Sequence, residues 1–539
     1  MKQLPLPMIP TKLARLSALA LILMHLGFAF SGLAAGVQGL VATGYDSRID
    51  LKWTPSQTRG VVGYNIHRSP DGREPFVKMN NQPHVTSVYS DFIGENNRTF
   101  YYRVAPVTTD AASGLQSPAP SLLVSAQSRE MSDDELLTSV QEATSRYFWD
   151  YAHPVSGLAR ERNNGGDCVT TGGTGFGLLA IMVGAERGFV SRAQATSRVL
   201  KMVTFLQEKA DRFHGAWPHW LNGATGKTIP FSAKNFDDGA DLVETSYLVQ
   251  GMLTVRQYFG RKDPVEEEIR RRITQLWLEV EWDWFLQKPG SRKLYWHWSP
   301  NHGWKKNLAI GGRFNECMIT YLLAIASPTH PIPPECYYEG WAASPQYANG
   351  KTSYGIMQWV GQPLGGPLFF THYSFLGFDP RNKRDRFCDY FENNRNISLI
   401  HRAYCVANPG EHKGYGPLVW GLTASDGPDG YKASAPDRDT GTVAPTAALS
   451  AMPYTPEASI ATLKYYYHKL GNRLWGEFGF HDAFNLDRDW FAKSYIAIDQ
   501  GPIICMIENY RTGLCWRRFM ANPEIAPMLN AVGWIKDAK

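Results

Sequence analysis

The sequence predicts a multidomain chain, a small all-β sandwich followed by one large, mostly α domain. Three observations carry that prediction. The chain has 539 residues, more than one ordinary domain holds. Apolar and polar residues alternate with period 2 from Gly39 to about Ser125. After Ser132 the apolar spacing changes to the 3.6-residue period of a helix.

The elements follow in order. Lys2, Lys12 and Arg15 precede the apolar run Leu16 to Phe30, and Ser31-Gly32-Leu33-Ala34-Ala35 supplies small residues. That order reads as a secretory signal over residues 1–35, since the run is shorter than the ~20 apolar residues of a membrane-spanning helix. An exported protein, periplasmic or extracellular and without a membrane span, is expected. Residues 36–127 read as strands: Arg48 to Trp53, Gly63 to Arg68, Thr99 to Val104 and Ser121 to Val124, separated by clusters such as Ser69-Pro70-Asp71-Gly72. Residues 131–539 form the helical domain. It opens on Ser132-Asp133-Asp134-Glu135, a capping sequence with acids in its first turn. Helices are expected over 174–187, 192–209, 239–259, 264–285, 314–326, 444–450, 456–470 and 500–510, with long polar-aromatic loops at 217–236, 287–312 and 408–442.

Composition narrows the function. The formal charge is +5, and three of the cations lie in the N-terminal segment, so the rest is close to neutral. Nucleic acid is therefore not an expected partner. The excess is aromatic, with 17 Trp, 26 Tyr and 26 Phe, which suits a groove that stacks sugar rings. The seven cysteines form no C-x-x-C and have no zinc spacing; Cys317 and Cys505 read as core residues, and one or two disulfides are compatible with export.

The densest acidic cluster is Asp237-Asp238-Gly239-Ala240-Asp241-Leu242-Val243-Glu244. If the helix begins near Asp237, Asp237 and Asp241 share a face with Glu244 close by. Carboxyls crowded where water is excluded take different pKa values, as acid and base work requires. Glu316, in Gly311-Gly312-Arg313-Phe314-Asn315-Glu316, leads a Gly-rich loop into an apolar helix, and a shielded carboxyl there suits a proton donor. Asp426, Asp429, Asp437 and Asp439 lack calcium-loop spacing and read as turn residues, with Asp426 also a sugar-binding candidate. Trp217, His219 and Trp220 precede the first acidic site; His297, Trp298 and Trp304 precede the second. Phosphate-loop, dinucleotide, H-E-x-x-H and G-x-S-x-G patterns are all incomplete, so no cofactor and no metal are expected.

Two resemblances follow from quoted residues. Leu51-x-Trp53, Gly63-Tyr64-x-Ile66-x-Arg68 and Tyr102-Arg103-Val104 resemble a fibronectin type III domain, with Phe100 where that family usually has its corner tyrosine. From about residue 131 to 538 the chain resembles the bacterial glucoamylase-like β-1,2-glucanases, glycoside hydrolase family 144. That likeness rests on Gly172-Gly173-Thr174-Gly175-Phe176-Gly177, Trp217-Pro218-His219-Trp220, Asp237-Asp238-Gly239-Ala240-Asp241-Leu242-Val243-Glu244-Thr245, Phe314-Asn315-Glu316, Trp420-Gly421-Leu422-Thr423-Ala424 and Gly441-Thr442-Val443-Ala444-Pro445. It implies an (α/α)6 toroid that hydrolyses β-1,2-glucan, internally or by releasing sophorose, with inversion. The family's functional acids fall on Asp237, Asp241 and Glu316. Glu316 is then the expected acid and Asp237, helped by Asp241 or acting through water, the base. Arg313, His219, His297, Glu244 and the tryptophans would hold glucosyl units of a β-glucan, in a chain expected to act as a monomer. The rival readings are a lyase, a transglycosylase on the same glucan, or a glycan-binding protein without turnover.

Overall fold

A computed structural model describes residues 37–536 apart from 111–113, 117–119, 233 and 235; the signal segment 1–35 lies outside the described residues. The chain forms two compact units. One comprises Trp53–Val85 and Phe100–Val124; the other comprises Ala42–Lys52, Thr86–Thr99 and Ser125–Lys539.

Strands open the chain: β1 (Gln38–Tyr45), β2 (Arg48–Thr54), β3 (Val61–Ser69), β4 (Val77–Lys78), β5 (Val88–Phe92), β6 (Thr99–Asp110), β7 (Gly114–Gln116) and β8 (Val124–Gln127). In the small unit the order is β4-β3-β6-β7, with Ile66 opposite Val104 and Arg68 opposite Tyr102 in the antiparallel β3–β6 pair. Alternation turns Tyr64, Ile66, Tyr102 and Val104 inward. Trp53 meets Tyr64 edge to face at 5.1 Å, completing this small core.

The large unit includes the antiparallel pairing of Arg48–Lys52 with Val88–Phe92. Buried Arg48 and Arg146 converge on the Asp50 carboxylate, both at 2.7 Å. This anchors the β2 segment on the first helix, α1 (Asp133–Trp149), whose Ser132–Glu135 capping box forms as the sequence predicts.

Among the described residues eleven further α-helices follow, and their burial sorts the longer ones into two layers. α3 (Arg192–Glu208), α5 (Pro264–Leu278), α7 (Tyr390–Ala407) and α9 (Pro456–Leu474) bury one face, like α1. α2 (Thr171–Glu186), α4 (Leu242–Tyr258), α6 (Met318–Ala326), α8 (Pro445–Ser450) and α10 (Ala497–Arg511) are buried nearly all round. α10 packs on both α2 and α8, closing the inner layer into a helical toroid. Between α6 and α8 the inner place is taken by two 3-10 turns, Leu368–Thr371 and Tyr373–Phe375. The Ser374 hydroxyl accepts the Ile319 amide at 3.1 Å, and the Tyr454 hydroxyl donates to the Thr371 carbonyl at 3.1 Å. The backbones of α2 and α4 nearly touch: a Cβ on Gly251 would lie 2.2 Å from the Gly175 carbonyl oxygen.

Three helices form where the sequence predicts none, and the helix expected over 264–285 ends at Leu278. α7 buries Asn393, Asn394, Ser398 and His401, so its apolar period is blurred. The Asn393 side-chain oxygen accepts the Trp359 and Val360 amides, each at 3.1 Å, which pairs a polar group inside the core. α11 (Leu514–Met520) and α12 (Ile525–Val532) end the chain. All seven cysteines are free thiols, six of them buried. No described helix is long and apolar enough to cross a membrane.

Candidate active site

The inner helices begin at one end of the toroid. Thr170 before α2, Val243 and Glu244 in α4, Glu316 ahead of α6, and Ile496 and Ile498 at α10 line one cleft of about 360 Å³. Helix N-termini carry partial positive charge, so this end accommodates buried acids. Rings complete the wall: Trp220, Phe231, Trp296, Phe369, Tyr373 and Tyr431. Trp220 lies on β10 (Trp220–Asn222), which pairs with both β9 (Cys168–Thr170) and β11 (Thr228–Ile229).

The acidic cluster does not begin a helix at Asp237. Asp237 forms an isolated antiparallel bridge with Ser232; β12 (Ala240–Asp241) pairs with β13 (His297–Trp298); α4 starts only at Leu242. The reason is capping: Asp241 Oδ1 accepts the Val243 and Glu244 amides at 3.1 and 2.9 Å, which requires an extended backbone at Asp241 itself. Asp237 and Asp241 therefore do not share a helical face. Asp241 Oδ2 receives His219 Nδ1 at 2.9 Å. Asp237 is gripped by Lys306 Nζ at 2.6 Å and His297 Nδ1 at 3.1 Å. Burial would raise its pKa, but the His297 and Lys306 contacts outweigh that and hold it below the usual carboxylate range. Asp237, Asp241 and His297 offer ligand atoms within 4.8 Å of one another, a spacing a cation could bridge; Lys306 already places a positive charge there.

Three carboxyl residues line the cleft, Glu161, Glu244 and Glu316, the first of them paired with Arg162. Glu316 Oε2 is buried and meets no hydrogen-bond partner among the described residues. Burial, with the Glu244 charge added, pushes the Glu316 carboxyl up to about 7. Its backbone carbonyl is fixed by the Ser374 hydroxyl at 2.5 Å and the Tyr247 hydroxyl at 3.3 Å. Glu244 Oε2 accepts the Gly172 amide, in the first turn of α2, at 2.8 Å. Burial raises this carboxyl to about 7, with the Asp241 and Asp237 charges adding and the His219 charge and Gly172 amide opposing. His219 stacks on Phe231 at 4.1 Å. Burial disfavours its charge, but Glu244 and Asp241 win and raise it to about 9, so it is an imidazolium at neutral pH.

A third acidic group was invisible to spacing. Asp482 and Asp499 are both buried; burial and the Asp426 charge raise Asp482 to about 7, and burial with the Asp482 charge raises Asp499 well above its ordinary value. The Tyr373 hydroxyl on the cleft wall donates to Asp499 Oδ1 at 3.4 Å. Asp482 Oδ2 accepts the Asp426 amide at 2.7 Å, while the Asp426 side chain pairs with Arg162 at 3.2 Å. Arg162 and Glu161 both line the cleft.

The other sequence candidates scatter. Trp217 has no exposed surface and packs in the core, so it offers no face to a sugar. Trp298 packs edge-on against His214, and Trp304 sits among Trp284, Phe285 and Tyr295. Neither is on the cleft wall, whereas their neighbour Trp296 is. Arg313 is exposed and bonds Gln346 at 2.7 Å. His297 is buried beneath the wall.

Comparison with known proteins comes down on one side. Residues 311–523 match the family described as "Putative glucoamylase". The chain is 45% identical over 515 residues to an exo β-1,2-glucooligosaccharide sophorohydrolase (non-reducing end) of Parabacteroides distasonis, covering 92% of this chain and 70% of that protein. It is similar to the crystal structure of a β-1,2-glucanase from the same organism, at TM-score 0.88 over 92% of this chain and 73% of that one. An endo-β-1,2-glucanase of Chitinophaga pinensis, solved with sophorotriose and glucose, is 48% identical, with TM-score 0.72 over 75% of this chain and 99% of that one.

Proposed function

The chain belongs to the glucoamylase-like β-1,2-glucanase family, and on that premise we propose that it cleaves β-1,2-linked glucan by single-step, inverting hydrolysis. The observation that carries this reading is Glu316: a buried, unpartnered carboxyl oxygen on the wall of a ring-lined cleft, protonated below about pH 7. Its proton goes to the glycosidic oxygen as the C1–O bond breaks and the bonding pair leaves with that oxygen. A water attacks C1 from the opposite face and gives its proton to a base, and the two carboxyls then exchange their proton through solvent.

Asp237 is the carboxyl kept ionised, by His297 and Lys306, and it stands behind the cleft wall, so its base work runs through a water. A second reading has its own observation in favour. Asp499, whose buried carboxyl has the Asp482 charge near it, reaches the cleft through the Tyr373 hydroxyl. Trp220, Phe231 and Trp296 supply faces for glucosyl units. The N-terminal strands read as a fibronectin type III-like spacer on Leu51-x-Trp53 and Tyr102-Arg103-Val104, and export rests on residues 1–35.

The test is reducing-end release from linear β-1,2-glucan by Glu316→Gln, Asp237→Asn and Asp499→Asn. Glu316→Gln should lose at least ~10²-fold in kcat. Whichever aspartate variant falls as far identifies the base, and wild-type turnover in Glu316→Gln rejects the proton donor. Product profiles separate internal cleavage from sophorose release. Cyclic or elongated products would make the protein a transglycosylase, and binding without turnover a glycan-binding protein.

A further inference from the structure

Glu244 is left over by that mechanism, yet its surroundings are built. Its Oε2 sits on the Gly172 amide at 2.8 Å, and a Cβ at Gly172 would lie 2.3 Å from the same oxygen. Only glycine there lets the carboxyl seat on the N-terminus of the sixteen-residue α2. One turn along α4, the Tyr247 hydroxyl bonds the Glu316 carbonyl at 3.3 Å. One helix thus carries the acid that faces the cleft beside Glu316 and the hydroxyl that fixes the Glu316 backbone.

We propose that Glu244 is a positioning residue that acts through Glu316: its carboxyl, seated on α2 and facing the same cleft, keeps the proton on Glu316 until a leaving glycosidic oxygen takes it. The inference rests on the reading of Glu316 as proton donor. Two carboxyls on one water-poor wall resist sharing a charge, so ionisation of Glu316 is disfavoured while Glu244 stands beside it.

The groups that face Glu244 come from four directions. His219 stands against it with its positive charge, held by Asp241. Asp241 and Asp237 add negative charge from the approach to α4. Tyr247 and Tyr373 are neutral hydroxyls near both glutamates. Glu161 and Arg162 form a compensated pair on the same cleft, and α2 contributes only the Gly172 amide. Of these, Glu244 is the one charge that bears on the Glu316 carboxyl directly.

The experiment is the pH dependence of kcat/KM on linear β-1,2-glucan, from pH 4 to 9, with the full chain. Glu244→Gln removes the neighbouring charge, so the alkaline limb should move down by about one pH unit, with turnover recovering at lower pH. Glu244→Asp keeps the charge and should hold the limb closer to wild type. An unmoved limb with a raised KM would make Glu244 a substrate contact and overturn the proposal. So would a loss as deep as that of Glu316→Gln at every pH. If melting shows Glu244→Gln unfolded, Gly172→Ala is read instead; it unseats the same carboxyl and should also move the limb, an unmoved limb counting against the proposal. Glu316→Gln run alongside separates the two claims. Wild-type turnover in it sinks the donor reading, whereas lost turnover in it with an unmoved limb in Glu244→Gln sinks only the role of Glu244.

Discussion

At the scale of single residues, the cleft is governed by which carboxyls are denied a counter-charge. Asp237 has Lys306 at 2.6 Å and is held ionised, whereas Glu316 has a buried oxygen with no partner and keeps its proton up to about pH 7. The sign for catalysis follows: the donor is loaded below about pH 7, so kcat/KM should fall on the alkaline side as Glu316 ionises. A pH profile of the wild type checks this. The sign for stability follows too. Glu316, Glu244 and Asp482, all raised to about 7, hold protons that the unfolded chain releases at lower pH. Their contribution is fully present at acid pH and is lost as pH rises through about 7. Glu316→Gln is neutral throughout, so its Tm should exceed that of the wild type at pH 8 and approach it at pH 5. A Tm below wild type at pH 8 would contradict this. These residue types were legible as candidates, but their partners were not. Nothing in Asp237-Asp238-Gly239-Ala240-Asp241 reveals that Lys306 will neutralise the first acid while the last caps α4.

At the scale of elements, the decisive feature is where helices begin. Period-3.6 patterning located α3, α5, α9 and the body of α4, because each lies among regularly spaced apolar residues. It placed the starts of α4 and α6 a few residues early, since the backbone is still non-helical at the N-caps Asp241 and Cys317. Asp241→Ala should cost about 1–2 kcal/mol in a urea titration through loss of the α4 cap. It should also lower the His219 pKa, because the imidazolium loses its nearest acceptor. An NMR titration of His219 reads the second effect, and an unchanged imidazole pKa would show that Asp241 does not set its charge. α7 escaped the pattern because its buried face carries Asn393, Asn394 and His401, each bonded through one side-chain atom to a partner distant in sequence.

At the scale of the whole molecule, the boundary between the two units is not a single cut in the chain. The segment Ala42–Lys52 belongs to the large unit, where Asp50 joins Arg48 and Arg146 in a buried triad. Asp50→Ala leaves two buried guanidinium groups without their common acid, and a loss of about 3–5 kcal/mol is expected. Because these arginines hold the Asp50 pKa below its ordinary value, the triad stabilises above that ordinary value and fades as pH falls through the folded one. Urea titrations at pH 7 and at about pH 2, below the ordinary aspartate value, would register both, and a neutral Asp50→Ala at pH 7 would remove the triad from the account. The sequence by itself determined the two kinds of structure, the layer of long helices and the identity of Glu316, because period, capping residues and a shielded acid ahead of an apolar helix are local features. Only the tertiary structure decided which acids share the cleft. Glu244 and Glu161 meet Glu316 there, with Asp499 bonded to the Tyr373 hydroxyl of the wall, because the inner helices start at one end of a closed toroid, and ring closure brings together residues that no spacing along the chain relates.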